Sequence, residues 1–136
     1  ERIEKEKGTE NIWDLKQVRG GLVDIEFVSQ YLQLTCADTD PEVLDQNTFQ
    51  ALQRLRLAGH IDGAHAEQLQ SSLRLIQAME HITRLCFTGP FDPETAPGGL
   101  KDLLTKTGGE VTFDRLEDRL RQDLIQNQAI FHQIIK

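Results

Sequence analysis

The densest run of residues able to do chemistry is Lys16-Gln17-Val18-Arg19-Gly20-Gly21-Leu22-Val23-Asp24-Ile25-Glu26-Phe27. It gathers two cations, a glycine pair and two carboxylates in one short stretch. On a helix, positions two apart point about 200° from each other, at about 100° per residue. Asp24 and Glu26 therefore cannot both face one metal ion from the same helical surface. Glu26 shares a polar stripe with Ser29, Gln30 and Gln33. Asp24 falls between Val28 and Phe27 in the apolar arc, where a carboxylate must be paired, accept amide hydrogens or face a functional cleft. A place in the first helical turn offers a purely structural alternative, because free N–H groups and the helix dipole favour negative charge there. Gly20-Gly21 also has two readings. Glycines before a helix can bring backbone N–H groups close to a phosphate, or can simply make a tight turn. The pair lacks the glycine spacing and lysine of a phosphate-binding P-loop. Lys16 and Arg19 either bring positive charge to the same place or pair with Asp24 or Glu26.

Other chemistries find little support. His60, His65, His81 and His132 are scattered without HExxH spacing, so no zinc site is expected. No serine sits in a GxSxG elbow, and Cys86 has no evident general base. Cys36 and Cys86 lie in apolar helical patterns without a CxxC, which predicts inert, reduced thiols and a reducing cytoplasm. Trp13 and Tyr31 read as packing anchors. Phe91 and Asp92 read as a contact for a protein partner, or as exposed loop. A formal charge of −7, from 22 acidic and 15 basic residues, repels a polyanion, so no nucleic-acid partner is expected. Arg2, Lys5 and Lys7 alternate with Glu1, Glu4 and Glu6, as on a solvated helix surface. No run reaches the roughly 18 apolar residues of a membrane span. The piece opens on Glu1 without an apolar leader, so no signal peptide is expected in it.

The elements that must position the motif are helical. The 136 residues, 38% of them hydrophobic, predict an all-α bundle of five to six helices in one domain. Residues 1–20 read as an incoming helix end over 1–7 and a linker, with 11–16 undecided between a short strand and an extended crossing. Residues 21–87 hold the main helices: Leu22 to Asp38, largely buried with a narrow wet face; Thr48 to Ala58, capped by Asn47; and about Ala64 to Phe87, after Ile61 and a cap at Asp62. In the last of these, Leu69, Leu73 and Ile76 form one apolar line, and Leu75, Met79, Ile82, Leu85 and Cys86 a second. Residues 88–111 are a proline- and glycine-rich excursion with room for a short helix from Leu100 to Lys106. Residues 112–136 form a C-terminal helix capped by Thr112, with Phe113, Leu116, Leu120, Leu124, Phe131 and Ile134 recurring on one face and Asn127 where that pattern skips.

The block Lys16 to Phe27, with Gln30-Tyr31-Leu32 after it, resembles the helical region that follows a nucleotidyltransferase domain in bacterial glutamine synthetase adenylyltransferase/adenylyl-removing enzymes. A similar Gly-Gly-hydrophobic-x-Asp motif occurs in the helical segment of PII uridylyltransferases. The resemblance runs from Arg2 to Phe87 and is thinner from Pro90 to Lys136. It implies a helical domain of an enzyme that transfers AMP from ATP to a tyrosine of glutamine synthetase, using Mg²⁺, while the enzyme's other half removes AMP by phosphorolysis. Asp-Ile-Glu-Phe at 24–27 resembles the C-terminal, adenylylating half. The implied partners are the upstream nucleotidyltransferase domain, glutamine synthetase and a PII-type signalling protein. This sequence lacks the Gly-Ser turn on which the family builds its metal site, and its one Asp-x-Asp, Asp38-Thr39-Asp40, lies in the polar loop before Pro41 with no such turn ahead of it, so no metal, Mg²⁺ or ATP is expected on the isolated piece, which is expected to be inactive. Asp24 and Glu26 are then supporting candidates that orient the catalytic domain or its substrate, and Lys16, Arg19, Gly20 and Gly21 are phosphate-proximal candidates. The alternative is a non-enzymatic docking or regulatory module for glutamine synthetase or a PII-type protein.

Overall fold

The computed structural model describes residues 11–86 and 91–135, and the helix end expected over 1–7 lies outside them. Five α-helices follow in order: α1 Leu22–Cys36, α2 Thr48–Leu57, α3 Gly63–Cys86, α4 Gly98–Thr107 and α5 Phe113–Ile134, with a 3-10 turn at Pro41–Val43 between α1 and α2. Among the described residues there is no strand. The all-α bundle expected from the periodicities is therefore the observed fold.

Local chemistry sets the helix starts. Asn47 accepts the Gln50 amide at 2.9 Å and Thr112 accepts that of Arg115 at 3.2 Å, each satisfying a donor that has no partner inside its helix. Asp62 accepts the Ala64 amide at 3.2 Å, and Ile61 before it is buried. Packing then sets the arrangement. The long α3 lies at the centre and packs on α1, α2, α4 and α5, while α1 also packs on α2 and α5, and α4 on α5. Leu69, Leu73, Ile76 and Met79 of α3 meet Leu52 and Leu55 of α2, Leu104 of α4, and Leu116 and Leu120 of α5 in one core cluster. Removing these apolar surfaces from water, at about 25 cal/mol per Å², is the main stabilising contribution.

Residues 11–20 are neither strand nor extended crossing. They form successive turns, with the Asp14 amide bonded to the Asn11 carbonyl and those of Gln17 and Val18 to that of Asp14. Trp13, Leu15 and Val18 anchor these turns in the core. Trp13 is the packing anchor expected: it stacks on Phe113 at 5.6 Å, meets Phe91 edge-on at 4.9 Å and donates its ring N–H to Glu117 at 2.8 Å. Four other expectations need correction. Phe91 is neither exposed loop nor free surface, because this aromatic cluster buries it. Tyr31 is exposed rather than buried in the core as an anchor would be. Cys86 and Leu85 leave the apolar line of α3 and are exposed at its end. Helix α1 is turned differently from its wheel: Ser29 and Gln33 are buried, while Val23, Phe27, Tyr31 and Leu34 face outward. The Ser29 hydroxyl accepts the Gln33 side-chain amide at 3.0 Å, and the Gln33 carbonyl oxygen accepts the Asp45 amide at 2.9 Å, so polar groups at the core face are satisfied.

Candidate functional site: the Gly-Gly turn and its clamp

The motif folds as a closed turn leading into α1. The Gly21 amide donates to the Val18 carbonyl at 2.8 Å, and the amides of Leu22 and Val23 donate to the carbonyls of Leu15 and Lys16, each at 3.1 Å. The Gly20 amide donates to Asp24 Oδ2 at 2.6 Å. Asp24 thus reaches back from the first turn of α1 and satisfies a donor ahead of the helix. Arg19 Nε lies 3.7 Å from the same oxygen. This resolves the puzzle of a carboxylate in an apolar arc: Asp24 sits at the edge of the buried face, hydrogen-bonded and beside a cation.

The glycines are needed for steric reasons. Gly20 adopts φ +83°, and a Cβ there would stand 2.3 Å from the Leu124 carbonyl oxygen of α5. A Cβ on Gly21 would stand 2.4 Å from the Leu15 carbonyl oxygen. Gly20 lets the turn lie directly on the backbone of the last helix, and Gly21 lets the turn close on itself against Leu15 and Val18. Because the amides of Gly20 and Gly21 are both used inside the turn, the backbone offers no open cradle to an anion. What the turn presents to solvent is the side chains of Lys16 and Arg19 and, from the first turns of α1, Glu26.

The clamp comes from α5. Asn127, fully buried, donates its amide to the Gly20 carbonyl at 3.0 Å. Gln128 donates to the Arg19 carbonyl at 3.2 Å. Asn127 in turn accepts from Gln68 of α3 at 3.2 Å, and Gln68 also donates to Ser72 and Asp123. His132 Nε2 stands 3.3 Å from a terminal nitrogen of Arg19. The structure therefore brings Arg19, Gly20, Gly21 and Asp24 together with Asn127, Gln128 and His132. Lys16 and Glu26 lie on the exposed surface of the same segment. Reading of the motif alone misses the three α5 residues; the only sign of them is the polar Asn127 at a position where an apolar residue belongs.

These donors do not make a metal site. Asp24 is committed to Gly20 and Arg19, and among the described residues no group of three or more His, Cys, Asp or Glu side chains is placed to hold a metal ion. No helix among those residues is long and apolar enough to cross a membrane.

An α-helical bundle whose Gly-Gly turn is pinned beneath its last helix defines the structural class. The family model described as GlnD PII-uridylyltransferase matches residues 1–86, and the chain belongs to that family. Its curated relatives include bifunctional glutamine synthetase adenylyltransferase/adenylyl-removing enzymes. The one from Rhodopseudomonas palustris (strain TIE-1) is 38% identical over 133 residues, covering 98% of this chain and 13% of the relative. Those of Bradyrhizobium diazoefficiens and Caulobacter vibrioides are 35% and 37% identical over 134 residues, each covering 98% of this chain and 14% of the relative. The chain thus spans only about a seventh of the length of these relatives. No solved structure matches it.

Proposed function

We propose that this chain is the helical domain of a longer polypeptide that transfers AMP from ATP to a tyrosine of glutamine synthetase in the cytoplasm. A preceding nucleotidyltransferase domain supplies the Mg²⁺ and ATP site, and the domain described here completes it without chemistry of its own. Transfer of a nucleotidyl group depends on positioning and charge neutralisation more than on covalent work by the protein. Lys16 and Arg19 neutralise phosphate oxygens or bind a carboxylate of the catalytic domain, while Asp24 holds Arg19 and Glu26 meets the catalytic domain or its substrate. The chain belongs to the adenylylating half of the polypeptide. The other half removes AMP by phosphorolysis, and a PII-type protein sets the balance between them.

One observation carries this reading. The motif turn is held from two sides, by Asp24 ahead of α1 and by Asn127 and Gln128 of α5, and of the two cations it presents, Lys16 and Arg19, the second lies beside Asp24. Rigid support beneath an outward cation is what a positioning site requires.

The test is Asp24→Asn in the longer polypeptide. An asparagine oxygen still accepts the Gly20 amide, so the turn survives, but the charge beside Arg19 is gone. The turnover number for AMP transfer should fall by about tenfold or more with the melting temperature nearly unchanged. In the same assay the 136-residue chain alone should transfer no AMP. Unaltered transfer kinetics in the variant, or transfer by the isolated chain, would overturn the proposal.

A further inference from the structure

Helix α1 is apolar on two faces, and only one of them is covered. Leu22, Ile25, Val28 and Leu32 fill the core. On the opposite side Val23, Phe27, Tyr31 and Leu34 remain 40%, 47%, 37% and 78% exposed. Their spacing of four, four and three places them in one line along the helix, about 16 Å long at about 1.5 Å per residue. Phe27 stacks on Phe131 of α5 at 6.0 Å, so the patch continues onto a second helix. Turning the helix to hide this line would break the bond by which Gln33, on its core face, accepts the Asp45 amide from outside the helix. A helix apolar on all sides belongs between two partners, and a contiguous exposed apolar patch marks an interaction surface.

We infer that the Val23–Phe27–Tyr31–Leu34 face of α1, extended by Phe131, is the seat of the nucleotidyltransferase domain of the same polypeptide. Two observations select this occupant. The chain spans only 13% to 14% of its matched relatives, so most of such a polypeptide lies outside it. A tethered domain meets this face at high effective concentration, which lets a modest patch suffice. Val23 and Phe27 also belong to the motif itself, flanking Asp24 and Glu26, so whatever covers the line is brought against the Arg19 turn. The inference rests on the reading above of a nucleotidyltransferase domain in the same polypeptide.

Thiol footprinting tests it without measuring activity, so its failure is distinct from the failure of Asp24→Asn to slow transfer. Leu34→Cys and Tyr31→Cys are labelled with a maleimide, with Leu57→Cys and Val111→Cys as exposed controls, and the rate at each site is read by peptide mass spectrometry. In the 136-residue chain all four sites should react fast. In the longer polypeptide the Leu34 and Tyr31 sites should slow by about tenfold or more while the controls stay fast, because access limits thiol reactivity. Equal rates in both proteins would overturn the inference. So would protection in the isolated chain accompanied by dimerisation on sedimentation, which would assign the face to a second copy. Protection that requires added glutamine synthetase would overturn it as well.

Discussion

Asn127 joins three parts of the chain through one side chain. Its amide group reaches the Gly20 carbonyl, its oxygen takes the Gln68 amide, and its backbone belongs to α5. A leucine at this position would continue the apolar face of α5 but would leave the Gly20 carbonyl buried without that donor. Asn127→Ala should therefore cost about 1–3 kcal/mol, the usual consequence of stranding buried polar groups, as measured by urea denaturation. A loss under about 0.5 kcal/mol would mean that the turn does not depend on this bond. The motif residues and their types are legible in the sequence, and so is the need for Asp24 to find a partner. Which partner it finds is not, because the Gly20 amide, the Arg19 side chain and the α5 clamp come together only through tertiary packing.

Individual elements were legible where local rules dominate. The caps at Asn47 and Thr112 and the glycine after α2 mark helix ends through contacts within a few residues. The orientation of α1 was not legible, because apolar residues lie on both of its sides and periodicity does not say which side the protein covers. Phe91 misled for the opposite reason: nearby prolines suggest an exposed loop, but Trp13 and Phe113, distant in sequence, draw it inward. At the junctions between elements, His60 Nε2 lies 2.6 Å from Asp40 Oδ2 and ties the segment after α1 to the turn between α2 and α3. The hydrogen bond with His60, then that with Glu42, holds the Asp40 carboxyl below its ordinary range. A carboxylate whose pKa is lowered by folding stabilises the fold above its unfolded pKa and loses that contribution as pH falls through its folded one. Asp40→Asn should accordingly lower the melting temperature at neutral pH, with the gap from the parent closing as the medium is acidified below the usual carboxylate range. A gap that stays constant on acidification would show that the carboxylate charge contributes nothing there.

Across the whole molecule, a single core links all five helices, and α3 is the element every other helix touches. The all-α class was readable from the succession of helical patterns with short links, and the broad apolar stripe of α3 showed that it needs more than one partner, though not that it touches every other helix. Leu73 lies at the heart of that stripe. Leu73→Asp would bury an unpaired carboxylate at a cost of several kcal/mol, comparable with the total stability of a domain this size. Circular dichroism should then show the loss of cooperative melting; a soluble variant melting near the parent would place Leu73 on the wrong face.

The bond from Asn127 to the Gly20 carbonyl spans 107 positions of sequence. A ribosome therefore synthesises the motif long before the residue that shapes it. Until α5 has been made, the nascent chain can form α1 to α4, but the Arg19–Gly20 bend lacks its ceiling. Contacts between such distant residues form late because loop closure precedes any gain from them. The order of synthesis thus makes a well-formed bend a sign that translation has run through residue 128, and a product broken off before Asn127 carries the motif's letters without its shape.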